Sequence, residues 1–185
     1  SAGVLVPDEE LVYNVRDGFI DRGQVRIRNY GPEPVGGSTT FRTKALIDSY
    51  PGLPFVDLHA IFESWIDPEM YSRKFVGKSK DGKNWEYARY VFEQDRRRVL
   101  IESGQRDTIV EKRDTLAIEG RTQDGLSLFF LARAHLRSGK KETIPCLVTE
   151  KKVNTVIDFA NNRTSVEVDA IEYPADVIGF EGTAE

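Results

Sequence analysis

The chain has 185 residues, with 30 acidic against 26 basic side chains and a formal net charge of -4. That balance removes any general pull toward nucleic acid or an anionic membrane. Hydrophobic residues at 39% exclude a disordered chain, and the length is that of one domain with a real core.

In chain order, Leu11, Tyr13 and Val15 share one face of a half-buried strand. Asp17-Gly18 and Arg22-Gly23 are turn signals, and Val25 and Ile27 then oppose Arg26 and Arg28. Residues 31–37, with Pro32 and Pro34, read as a loop. Phe41, Thr43, Ala45 and Ile47 share a face of a third strand. The break at 50–54 precedes an extended segment over 55–65. Lys80-Asp81-Gly82-Lys83 predicts a hairpin between 70–78 and 84–94. A short strand follows at 97–102. The stretch 104–114 is charged and weakly patterned, and reads as an irregular connection with one short strand near 108–111.

The segment 122–138 reads as a helix, the single confident one, and the rest of the chain is organised around it. Thr122 or Asp124 can cap its start, because either side-chain oxygen can accept an orphan backbone N–H. Gly139 suits its stop. Leu126, Phe129, Phe130, Leu131, Ala134 and Leu136 form a broad apolar band, while Arg133 and Arg137 share a polar stripe. After the helix, 142–149 and 151–159 predict a hairpin turning at Glu150-Lys151. Asn161-Asn162 reads as another turn. Residues 163–173 alternate again through Val166, Val168 and Ile171, and 177–180 begin a last strand.

The fold class is mainly β: a curved antiparallel sheet, or an open or closed β-barrel, of about ten to twelve strands around one buried helix. Residues 1–185 form a single β-rich domain. No run approaches the roughly 20 apolar residues of a membrane-spanning helix, and no signal peptide is visible. Ser1-Ala2-Gly3 reads as a scar at a processed N-terminus, which leaves a removed export signal open.

Three stretches carry a family resemblance: EELVYNVRDGFIDRGQVRIR at 9–28, FVGKSKDGKNWEYARYVFEQDRRRV at 75–99, and TQDGLSLFFLARAHL at 122–136. Together they resemble a bacterial envelope family catalogued as domain of unknown function 3108, over roughly residues 8–182. The likeness lies in the order of elements and the Gln-Asp-x-Leu-Ser helix start. It implies an exported β-protein, periplasmic or associated with the outer membrane, and it supplies no catalytic residue. The family continues with a further strand pair beyond the point where this chain stops, which leaves a truncated C-terminus or a different sheet closure open.

Candidate chemistry is sparse. Asp57, His59 and Glu63 share a strand face, but neighbours at about 7 Å are too far apart for one ion without curvature. No metal site and no cofactor are expected. Cys146, in the apolar run 144–148, reads as a small buried hydrophobe rather than a nucleophile paired with His135. Ser127 lacks a nucleophile elbow and suits a capping role. The aromatic and cationic residues Trp65, Trp85, Tyr87 and Arg89 are the candidate binding set. Trp85, Tyr87 and Arg89 alternate on one strand face. Glu86, Ala88 and Tyr90 opposite are not apolar enough to be the only core-facing set, so the indoles are expected to flank a partly exposed groove.

The leading reading is a non-enzymatic envelope protein that binds or scaffolds a partner protein, glycan or other envelope polymer. The alternative is a carrier of a lipid or other hydrophobic ligand in the concave face of the sheet. The helix separates them: if it plugs the sheet there is little room for an acyl chain, and if it stands aside an apolar cavity must open. A hydrolase ranks last.

Overall fold

The computed structural model describes residues 2–52, 57–105, 109–136, 138–168 and 171–184. The end of the expected break at 53–54, the strand start expected at 55–56, Arg137 of the polar stripe, and the side-chain alternation expected of Val166, Val168 and Ile171 fall outside what it describes. The fold is mainly β, with one large antiparallel sheet of eight strands and one helix. The eight are β1 (Glu10–Asp17), β2 (Ile20–Pro32), β3 (Phe41–Ser49), β4 (His59–Ile66), β5 (Ser72–Asp81), β6 (Asn84–Glu93), β7 (Arg98–Gln105) and β8 (Ile109–Ala117). They pair strictly in sequence order. Each connection is a hairpin or a short loop, the topology that alternating strands punctuated by Gly, Pro and Asp favour. Asp81 pairs with Asn84, so the Asp-Gly signal does mark a two-residue hairpin turn. The sheet is open between its edges β1 and β8, and no closed barrel occurs among the described residues.

A second sheet has the order β12-β11-β10-β9. It is built from β9 (Gln123–Asp124), β10 (Lys141–Val148), β11 (Lys151–Val168) and β12 (Ile171–Ala184). Between β9 and β10 runs α1 (Gly125–His135), shorter at both ends than the expected 122–138. The β10–β11 turn is Thr149-Glu150, both with positive φ (47 and 65), the geometry of a two-residue hairpin with the twist of its strands.

Two expectations are corrected here. The charged stretch 104–114 holds most of a regular strand, β8, whose residues are nearly all exposed. As an edge strand it has no inner and outer neighbours to impose alternation, and its charges discourage further pairing. The expected turn at Asn161-Asn162 lies inside β11, where the pairing with β12 slips between Asp158 and Asn162 and the strand then continues.

The core divides in two. Helix α1 packs Phe130, Leu131 and Leu126 against Ile27, Ala45 and Ile66 of β2–β4 and against Ile144, Cys146, Ile157 and Phe159 of the second sheet. A smaller cluster on β5–β7 gathers Phe75, Tyr90, Phe92, Val99 and Ile101, covered by Leu147 at the end of β10. Phe130 is 1% exposed and Leu131 4%, as expected of a core helix, whereas Phe129 is only half-buried.

Candidate functional site

The helix is fixed by its first residues. Asp124 is its N-cap and is 0% exposed. One carboxylate oxygen accepts the backbone N–H groups of Leu126 and Ser127, both at 2.8 Å. The other accepts the hydroxyls of Ser64 on β4 at 2.6 Å and Ser72 on β5 at 2.7 Å. Ser127 closes a capping box and donates to Gln123 at 2.6 Å. The Gln123 amide donates in turn to the Met70 carbonyl at 2.8 Å. Gln94 donates to the carbonyls of Ser72 and Thr122, both at 2.9 Å. Here a buried carboxylate is held by neutral donors, and its acceptor sites are filled, which is what makes burial tolerable. Burial still pushes the Asp124 carboxyl up from its ordinary range, with hydrogen bonds from Ser64, Ser127, Ser72 and Leu126 opposing it. Arg133 reaches from the last turn of α1 to Glu9 with two bonds of 3.0 Å. The helix start thus clamps to β4 and β5, and its end to the chain just before β1.

Beside this clamp lies a cleft of about 690 Å³ between the inner face of the sheet, α1 and the β10–β11 turn. Register explains its position. One row of paired residues crosses six strands as Ile27–Ala45–Phe62–Gly77–Ala88–Ser103. From Gly77 onward the row is small. The adjacent row carries Phe75, Tyr90 and Ile101, which stand up beside it. Phe75 stacks on Tyr90 at 5.2 Å between centroids and tilts against Phe62 at 5.7 Å. A methyl on Gly77 would lie 2.9 Å from the Phe75 ring, so glycine here lets the ring lie over the floor of the cleft. Val25, Ile47, Leu126, Phe129 and Leu147 complete the apolar wall. Tyr90 is 3% exposed, accepts the Glu150 N–H at 3.1 Å, and has its hydroxyl pushed up to about 12, chiefly by burial.

Of the four candidate binding residues, only Tyr87 lines this cleft. Trp65 is 6% exposed. Its indole donates to Glu33 at 3.0 Å, and the Lys74 ammonium sits 3.9 Å above its ring. Trp65 and Glu63 share the outer face of β4, opposite Phe62 and Ser64. Trp85 is half-buried on β6, on the face opposite Ala88 and Tyr90. Arg89 lines a shallower outer hollow of about 430 Å³ with Val91, Leu100, Glu102, Arg113 and Thr115, and bonds Glu102 at 3.5 Å. The expectation that Trp65, Trp85, Tyr87 and Arg89 flank one groove is therefore corrected in its geometry: they do not converge. The core-facing set of β6 is Ala88, Tyr90 and Phe92, the parity judged too polar from the sequence.

Of the three residues weighed as metal ligands, Asp57 and His59 bond each other, and Glu63 is engaged elsewhere. His59 bonds Asp48 at 2.7 Å and Asp57 at 3.1 Å through its two ring nitrogens. Asp57 also accepts from Lys80 at 2.9 Å, and this bond holds its carboxyl below the ordinary range. Glu63 accepts from Arg42 at 2.5 Å. Cys146 is 1% exposed, and burial pushes its thiol up to about 12. His135 faces Glu142 at 3.3 Å rather than Cys146.

No protein family, curated protein or solved structure matches the chain.

Proposed function

We propose that the protein is a non-enzymatic binding protein that holds an elongated apolar ligand, an alkyl or acyl chain, in the cleft between the sheet and α1. The observation that carries this reading is the row of small residues, Gly77, Ala88 and Ser103, flanked by Phe62, Phe75, Tyr90 and Phe129. It forms a trough with apolar walls. The volume of about 690 Å³ lies in the range of small-molecule sites. Each methylene moved from water into such a trough contributes about 0.8 kcal/mol. The helix plugs only the β2–β4 half of the sheet, so the concave-face carrier is favoured over the scaffold that contacts only an envelope polymer. In this reading the large sheet acts as a half-open barrel. Placement in a bacterial envelope, periplasmic or associated with the outer membrane, rests on the likeness of three stretches to family 3108; in that setting the ligand is a lipid chain. The packed, protonated Cys146 and the separately occupied His59 and Glu63 support a protein without catalysis.

Titration with the apolar fluorophore N-phenylnaphthylamine tests this. The expected result is micromolar binding with enhanced emission, abolished in Ala88→Trp, which fills the trough, while the unfolding free energy changes by less than about 2 kcal/mol. Absence of enhancement in the wild-type protein would sink the reading.

A further inference from the structure

We infer that the cleft discriminates by head-group charge, and that its occupant is an alkyl chain ending in a cationic amine. The inference rests on the reading of the cleft as an apolar-ligand site and adds the chemistry of its mouth. Three carboxylates, Glu86, Glu111 and Glu150, line the cleft, and no Lys, Arg or His is among its described lining residues. Glu86 lies one register row from the trough, between Ser79 and Gln105. Glu111 is brought there by a bulge. The β7–β8 register runs through Ser103 opposite Lys112 and then slips to Gly104 opposite Val110, so Glu111 is the extra residue. A methyl on Gly104 would lie 2.0 Å from the Ile109 carbonyl oxygen, so the close approach of the two strands requires glycine. Glu150 comes from the opposite side, at the β10–β11 turn.

Among the described residues, neither Glu86 nor Glu111 has an ion-pair partner, and both are exposed. Lys112, a cation that pairs with Glu150 at 3.8 Å, is shared with Asp114 at 3.7 Å. An anionic head at this mouth therefore meets three carboxylates and, among the described lining residues, no cation. A cationic head meets two unpaired carboxylates while its chain lies in the trough. At a wet rim each such contact is worth a factor of a few, and the group together gives roughly a tenfold preference that falls with salt.

The test is displacement of N-phenylnaphthylamine from the full chain at neutral pH by three probes with one tail: dodecylamine, dodecanol and dodecanoate, each below its micelle concentration. Dodecylamine is expected to bind roughly tenfold tighter than dodecanoate, with dodecanol between them. The gap should close to about twofold in the double variant Glu86→Gln, Glu111→Gln and in high salt. Both residues are exposed, so the substitutions leave the fold intact. If dodecanol binds but dodecanoate equals or exceeds dodecylamine, or if the double variant keeps the preference, the head-group inference is overturned and the apolar site stands. If no dodecyl probe displaces the fluorophore, both readings fall together.

Discussion

The two halves of the inner sheet face solve opposite problems. On β2–β4 the face is covered by α1, and at the helix start the contact is polar: Ser64 of β4 and Ser72 at the start of β5 join Gln123, Asp124 and Ser127, which satisfy one another completely enough to be buried. On β5–β7 the face is apolar and aromatic, and Ile118 and Leu147 pack on part of it while the cleft beside the β10–β11 turn stays open. A helix lying across all the strands would bury both. The directional network fixes the helix start where β4 meets β5, and the helix packs from there on β2–β4. Polar groups set the geometry, and the apolar surface left over is where the proposed ligand would lie.

The largest effect expected is on the packed side of the helix. Phe130→Ala should destabilise by about 3–5 kcal/mol in urea unfolding, because a fully buried ring leaves a cavity. Phe129→Ala, on the cleft side, should cost about half as much. Equal losses would erase the distinction between the covered and open halves.

Asp124→Ala comes next, at about 2–4 kcal/mol by the same measurement, because it strips acceptors from two helix N–H groups and two buried hydroxyls. A loss below about 1 kcal/mol would mean the network is not the anchor.

A pH series sharpens the same point. Burial raises the folded-state carboxyl of Asp124, so the folded chain binds that proton more tightly than the unfolded chain does. The stabilisation is fully present below the unfolded carboxylate value and is lost as pH rises through the raised folded value. The wild type should therefore lose stability relative to Asp124→Asn over that window, with a slope of at most about 1.4 kcal/mol per pH unit. A slope of opposite sign would show that the network favours the ionised form.

The smallest effects belong to the outer face. Arg89→Ala and Trp85→Phe should shift N-phenylnaphthylamine binding by less than about twofold. With Trp65 alone remaining, acrylamide should quench emission weakly, since that indole is buried; with Trp85 alone, more strongly.

What the sequence disclosed was local. A cap speaks to amides two and three residues away, so Asp124 and Ser127 were legible as a helix start. Asp81-Gly82 names its own turn. The trough was not legible, because Gly77, Ala88 and Ser103 belong to three strands and become one feature only through register. Nor was the facing of β6. Trp85 and Tyr87 look more apolar than Glu86 and Ala88, but the inner face is decided by what stands on the neighbouring strands and by where the helix ends. Asp124 is one of the two caps the sequence offers, with Thr122, and the structure selects it; its two cross-strand serines are not legible, since nothing in Ser64 or Ser72 marks a long-range partner.

The turn at Thr149-Glu150 has a kinetic consequence. Beyond Leu147, whose side chain is buried, the turn is fastened among the described residues by the Glu150 N–H bond to Tyr90 and the Lys112–Glu150 ion pair, one neutral hydrogen bond and one exposed pair. Such a tether amounts to about 1–2 kcal/mol, which leaves several per cent of molecules with the tip undone at any moment. On the proposed reading, the mouth would open by thermal fraying of this hairpin end while the helix start stays clamped by Ser64 and Ser72. On that reading, the residence of a bound chain would be set by its own grip on the trough, and loading would need no energy source beyond the ligand's preference for leaving water.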